Sequence, residues 1–283
     1  MIVTRLGLGT VLATGALLAA GACPALASYT EVVRQTPGMD NYWRLGETSG
    51  SVVVDEIDPR DRDGRYGSQV GLSRPGAIPG DADTAIELKG AVPDGIWGSS
   101  IEGLGVMQRN VPFDAGEGPF SFEAWVKPDR LDGTTRRIFS GEGPRGGFLV
   151  GARSSGLAFS RYQKAATVEF YNTKEQRHEW RSYEAQNDTL IVPIVSGEWI
   201  HVVATYDADT PGYRGPAEEV MRLYVNGRLA AERPSVVVTY DFNPLRIGSM
   251  PGGWREWDGL IDEAARYHWA LPASFVAEHY AAR

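Results

Sequence analysis

The stretches EWIHVVATYD (198–207) and MRLYVNGRLAAE (221–232) decide the fold. In the first, Trp199, His201, Val203 and Thr205 alternate with Ile200, Val202, Ala204 and Tyr206. That alternation has the period of a β-strand, and apolar residues on both faces predict a strand inside a sheet. In the second, Asn226-Gly227 separates two strand-like runs. A type I′ turn needs positive φ at both central residues, which Asn and Gly adopt at least cost, so the pair predicts a tight hairpin.

Working outward, FSFEAWVK (120–127) puts Phe120, Phe122, Ala124 and Val126 on one face and Ser121, Glu123, Trp125 and Lys127 on the other. Pro128-Asp129 ends it, since Pro cannot continue a sheet ladder. GFLVGA (147–152), GLAFSRY (156–162), ATVEFYN (166–172), PLRIGSM (244–250) and GLIDEAARYHWAL (259–271) read as further strands. PASFVAEHYAAR (272–283) is the only stretch read as a helix, with Pro272 at its first turn. Many short strands with almost no helix exclude a parallel α/β fold and predict an antiparallel sandwich.

The first 27 residues differ from the rest. Arg5 precedes an apolar, small-residue run, Leu6–Ala22, and Ala25-Leu26-Ala27 has the pattern of a signal-peptidase site. The expectation is a signal peptide, cleavage after Ala27 and secretion. Retention as a surface lipoprotein through Cys23 is a weaker alternative, because no large apolar residue stands three positions before it. Cys23 is the only cysteine, so the mature chain holds none, which excludes thiolate catalysis and cysteine-based zinc sites. No second apolar run is long enough to span a membrane. With 28 basic and 36 acidic residues the net charge is −8. That balance argues against nucleic acid and anionic membranes, which select basic patches, and is compatible with neutral glycans and with calcium.

Four stretches, in order, resemble the LamG-like jelly-roll family of the concanavalin A-like lectin and glucanase superfamily. They are YWRLGETSGSVVVDE (42–56), FSFEAWVKP (120–128), GEWIHVVATYDA with MRLYVNGRLAA, and PLRIGSM with DGLIDEAARYHWALPASFVAEHY. The resemblance implies an all-β, two-sheet antiparallel jelly-roll sandwich over 42–283 with a short C-terminal helix. Residues 28–41 form a lead-in. Trp43, Trp125 and Trp199 fall in strand motifs and are expected to pack, as is His201. The resemblance also implies a structural calcium. Its ligands would be Asp262 of the closing strand with Asp83 or the Gly90 carbonyl of the early loop, although Lys89 replaces the acidic residue common there.

The stretch VVVDEIDPRDRDGRYG (52–67) raises a competing reading. Its Glu56, Asp58 and Asp61 are similar in spacing to the E-x-D-x-x-E strand of β-glucan hydrolases, and retaining glycosidases need two carboxyl groups about 5–5.5 Å apart. Pro59 interrupts the ladder, Asp61 is one methylene short, and the run is dense in turn formers, so it reads as a solvated loop. Asp58, Asp61 and Asp63 are hard oxygen donors, but Asp61-x-Asp63-Gly64 matches only the tail of a calcium-loop spacing. Glycan stacking needs exposed aromatic faces. The candidates are Trp254 and Trp257 flanking Arg255 in PGGWREWDG, and Trp97, with Trp180 as a further indole. The expected function is non-catalytic binding of a glycan or a cell-surface protein. The alternatives are a polysaccharide hydrolase using Glu56 and Asp58, and a structural or adhesive protein.

Overall fold

The computed structural model describes residues 27–57, 64–90, 101–102, 118–143, 146–154, 156–172, 175–208, 219–237, 245–250 and 255–283. In chain order the elements are α1 (Tyr29–Gln35), β1 (Met39–Trp43), β2 (Val52–Val53), β3 (Gly64–Tyr66), β4 (Gly71–Pro75), β5 (Thr84–Lys89) and β6 (Ile101–Glu102). They continue with β7 (Phe120–Pro128), β8 (Phe139–Glu142), β9 (Gly146–Arg153), β10 (Gly156–Gln163), β11 (Ala166–Asn172), β12 (Arg177–Tyr183) and β13 (Gln186–Pro193). The last are β14 (Ile200–Asp207), β15 (Val220–Val225), β16 (Arg228–Pro234), β17 (Arg246–Ile247), β18 (Asp258–Tyr267) and α2 (Ala273–Ala281).

These strands form two antiparallel sheets. The first runs β16-β15-β14-β7-β18-β5-β4, with β1 also paired to β18; the second runs β13-β10-β9-β8-β17-β6-β3-β2. The strand over 200–207 is internal, between β15 and β7, as its two apolar faces require. The turn after β15 has Asn226 at φ 51° and Gly227 at φ 76°, the positive pair that a type I′ hairpin demands. Beyond the sandwich, β10 and β13 continue as β11 and β12, which pair only with each other and form a two-stranded arm.

The sheets bury one core between them. Phe122 stacks on Phe148 at 4.8 Å between centroids, Phe120 and Phe139 pack against this pair, and Phe159, Trp43 and Ile261 belong to the same core. Each such side chain contributes about 1.5–3 kcal/mol by leaving water. The other face of the first sheet carries a second core, where Trp125, Val203 and Tyr267 pack under Tyr29 and Val33 of α1 and Val276 of α2. Trp43 and Trp125 are buried and Trp199 is half-buried against this second core.

One expectation is corrected here. Residues 28–41 are not a plain lead-in, and the C-terminal helix is not the only one. Ser28 and Glu31 close a reciprocal capping box that starts α1, and β1 then joins the first sheet. The two helices lie against each other on the sheet. At the centre of this layer Glu123 is fully buried and accepts from the Tyr29 hydroxyl at 3.1 Å, the Tyr267 hydroxyl at 2.8 Å, His201 Nε2 at 2.7 Å and His279 Nδ1 at 2.9 Å.

Candidate functional site

Two polar sites stand apart from this scaffold: an acidic cluster at the edge of β18 and a pocket on the outer face of the second sheet. The cluster lies where β18 changes partners. Along one edge β18 pairs β5 up to Ile261 and β1 from Ala264. Between them, at Asp262–Ala265, its ladder with β7 carries a bulge, and Glu263 adopts φ 51°. A bulge re-aims side chains. Here it brings the carboxylates of Asp83, Asp262 and Glu263 to within 4.8 Å of one another.

The environment of these carboxylates is under-neutralised. Arg44 Nη2 lies 2.9 Å from Glu263, 3.0 Å from Asp83 and 2.8 Å from Asp81, so one guanidinium serves three carboxylates. Asp262 takes the Ala77 N–H on Oδ2 at 2.7 Å, while its Oδ1 is buried without a partner among the described residues. Burial, and then the neighbouring Glu263 charge, hold the Asp262 carboxyl well above its ordinary range. Burial also pushes Glu263 up to about 7, against the opposing pull of Arg44 and Tyr42. Asp83 is raised by burial too. Hard oxygen donors crowded around an orphaned buried oxygen fit a hard divalent cation such as calcium. Asp83, Asp262 and Glu263 would hold it, and its charge would let all three ionise together.

Gly90 does not belong to this cluster, which corrects its expected role. The β5–β18 register, with Ile86 opposite Ile261, carries Gly90 to the far end of the pairing, and its N–H donates to the Trp257 carbonyl at 2.9 Å. Five residues of strand, roughly 16 Å, separate that point from Asp262. Glu263 was not anticipated. Strict alternation assigns neighbours in a strand to opposite faces, and only the bulge makes Glu263 a partner of Asp262.

The pocket has a volume of about 290 Å³, close to the lower bound of the ~300–1,000 Å³ typical of small-ligand sites. The sheet register builds it. Glu142, Gly147, Tyr162 and Asn187 lie side by side across β8, β9, β10 and β13. With no side chain at Gly147, the Tyr162 hydroxyl reaches Glu142 Oε1 at 2.9 Å. Arg137 grips the same carboxylate twice, Nε at 2.5 Å and Nη2 at 2.8 Å. Leu149 and Ser160 form the next row, and Thr135, Arg153 and Arg255 complete the lining. Arg255 is held there by its backbone: its carbonyl accepts the Arg137 N–H at 2.9 Å, and its φ is 61°.

Of the aromatic candidates, Trp257 is corrected. Its N–H donates to the Gly248 carbonyl at 2.8 Å and its carbonyl accepts from Gly90, which clamps residue 257 into the sheet edge. The indole turns into the main core with no exposed surface, and its Nε1 donates to the Leu260 carbonyl. It cannot offer a face to a ligand. Trp254 and Trp97 lie outside the described residues, as does the Trp180 side chain. Of the acidic stretch, Asp55 and Glu56 are described. Glu56 is tied to Arg34, and Asp55 is buried against Asn41 and the Tyr42 N–H; Asp58, Asp61 and Asp63 lie outside the described residues.

Comparison with known proteins places this architecture. The Laminin_G_3 family model, described as the concanavalin A-like lectin/glucanases superfamily, matches residues 105–277. No curated protein matches the chain. Among solved structures, the receptor binding domain of botulinum neurotoxin D is similar with a TM-score of 0.54 at 13% identity, covering 86% of this chain and 52% of that one. The serotype D ligand binding domain in complex with N-acetylneuraminic acid gives 0.54 at 13% identity, over 87% of this chain and 51% of that one. The chain thus spans about half the length of these toxin domains. Domain 4 of the arabinanase AbnA from Geobacillus stearothermophilus, in complex with arabinotriose, gives 0.48 at 17% identity over 86% of this chain and 98% of that one. The chain belongs to the concanavalin A-like lectin/glucanases superfamily.

Proposed function

We propose that the chain is an exported, non-catalytic binding module whose ligand is a glycan, seated in the pocket on the second sheet, with calcium at the Asp83–Asp262–Glu263 cluster. One observation carries the reading. Among the described residues the pocket combines an aromatic ring, Tyr162, with amide, hydroxyl and guanidinium groups, yet holds a single carboxylate, Glu142, committed to Arg137 and Tyr162. Sugar recognition uses such a mixture of apolar face and fixed polar groups. Glycoside hydrolysis in most families needs two carboxyl groups flanking the bond. A toxin domain similar to this chain over half of its own length was solved in complex with N-acetylneuraminic acid; at 13% identity that likeness carries the fold and not the ligand. The leader sequence supports export.

The test is binding of the purified protein to a broad glycan panel, with calcium and with chelator, and assay of the same mixtures for released sugar. Binding without release is expected, weakened by Tyr162→Ala. Release of sugar would replace this reading with the hydrolase. A folded protein that binds no glycan would leave a surface-protein partner as the better reading.

A further inference from the structure

We infer that the pocket on the second sheet selects an anionic sugar unit, one carrying a carboxylate or a sulfate. The inference deepens the glycan-binding reading and rests on it.

The charge of the lining is the first ground. Among the described lining residues, Arg137, Arg153 and Arg255 face a single carboxylate, Glu142, in a chain whose overall charge is −8. A cationic pocket therefore runs against the composition of the molecule. Glu142 does not cancel the three. It is bound at both oxygens by Arg137 and again by Tyr162, so it balances Arg137 and leaves Arg153 and Arg255, both exposed, to the ligand.

The placement of the arginines is the second ground. The Arg137 side chain is only 7% exposed and is spent on Glu142, so the exposed Arg153 and Arg255 are the cations that reach the ligand. The hydrogen bond from the Arg137 N–H to the Arg255 carbonyl fixes the two arginines next to each other. Planar guanidinium groups match carboxylate and sulfate oxygens in a way that an ammonium does not. The half-buried Tyr162 ring offers apolar surface to the C–H face of a pyranose, and the exposed Asn187 amide offers a group for its hydroxyls.

The experiment is calorimetric titration of the purified protein with galacturonate trisaccharide, its carboxyl-reduced neutral counterpart, and a sulfated galactose trisaccharide. The anionic trisaccharides are expected to bind at least roughly 10-fold more tightly than the neutral one, as charge-assisted hydrogen bonds allow, with affinity falling as salt rises. The two anionic arms tell a carboxylate from a sulfate ligand. Arg255→Ala is expected to weaken binding by roughly 5-fold, and Arg153→Ala with Arg255→Ala by more, while leaving Tm unchanged because both side chains are exposed. Equal affinity for the acidic and neutral trisaccharides overturns the inference and leaves the glycan reading standing. Anionic binding that ignores both arginine substitutions overturns the assignment to this pocket. A folded protein that binds neither these sugars nor any panel glycan overturns the inference and the reading together.

Discussion

Asp262 and Glu263 are consecutive residues of one strand, yet their carboxylates converge with Asp83 in one cluster, because the bulge at Asp262–Ala265 cancels the alternation of the strand. Both are raised by burial, Glu263 to about 7. A carboxyl whose folded value is raised contributes stability that is full below its unfolded value and is lost as pH rises through the folded one. In chelator the protein is therefore expected to lose stability between about pH 4.5 and pH 7. Calcium should reverse that loss, by about 2.7 kcal/mol at a concentration 100 times its Kd. Asp262→Asn should flatten the pH dependence in chelator and abolish the calcium increment. Thermal unfolding across pH, with and without calcium, reads both; a calcium response that survives Asp262→Asn would place the ion elsewhere.

The cluster depends on a residue with no side chain. A Cβ at Gly46 would stand 1.7 Å from Asp83 Oδ1. The obstructing atom is the end of a short side chain, so the carboxylate moves and the backbone does not have to. Gly46→Ala is expected to cost about 1 kcal/mol or less in chelator and to weaken calcium binding by at least roughly 10-fold, the scale of a ligand's lost support. Titration of calcium by calorimetry checks this, and unchanged affinity would remove Asp83 from the ligand set.

Glu123 and His279 set a second pH dependence, with Glu123 acting in the opposite sense to the acidic cluster and His279 in the same sense. Burial alone would raise Glu123, but the His279 charge and the hydrogen bonds from His201 and His279 outweigh it and hold the carboxyl well below its ordinary range. Burial would lower His279, and the Glu123 charge outweighs that and raises it. The His279 ring meets Glu123 through Nδ1 and Thr36 Oγ1 through Nε2 at 2.7 Å; the Thr36 hydroxyl donates to the Val32 carbonyl, so it accepts from the ring. An imidazolium that donates at both nitrogens satisfies this arrangement. The Glu123 contribution is lost as pH falls below about 4.5, and the His279 contribution is lost as pH rises above about 6.5 through its raised value. His279→Gln should cost about 3 kcal/mol at pH 5.5 and much less at pH 9. Urea unfolding at the two values measures it; an equal cost at both would mean that His279 is neutral in the fold.

The fold was legible because its signals are local. Asn226-Gly227 specifies its own turn, and the alternation over 120–127 separates the core face from the face that carries Glu123. The α1 helix also has a local signal, Ser28 with Glu31 three residues on, but seven residues are too few for apolar periodicity to announce it. The sites were less legible because they are made by register. Glu142 and Tyr162 stand twenty positions apart and meet only because β8, β9 and β10 align them across Gly147. Trp257 misled for a related reason. Its Gly-rich neighbourhood reads as an exposed loop, while two main-chain bonds, to Gly248 and Gly90, draw it into the sheet and its indole into the core.

Arg137 and Glu142 can be separated into structural and binding roles. Both are almost fully buried, so Glu142→Ala leaves an uncompensated guanidinium and should cost about 3–5 kcal/mol. Loss of binding in that variant would therefore say little about recognition. Replacing both at once, Arg137→Met with Glu142→Leu, removes two desolvated charges and keeps comparable volume, and such swaps of buried pairs are often neutral or stabilising. The double variant is expected to unfold within about 1 kcal/mol of the parent chain. It should nevertheless lose glycan binding, because the Glu142 carboxylate that positions the Tyr162 ring is gone. Unfolding and titration on the same sample decide it: native stability with native affinity would confine the pair to a structural role and move the glycan site away from this pocket.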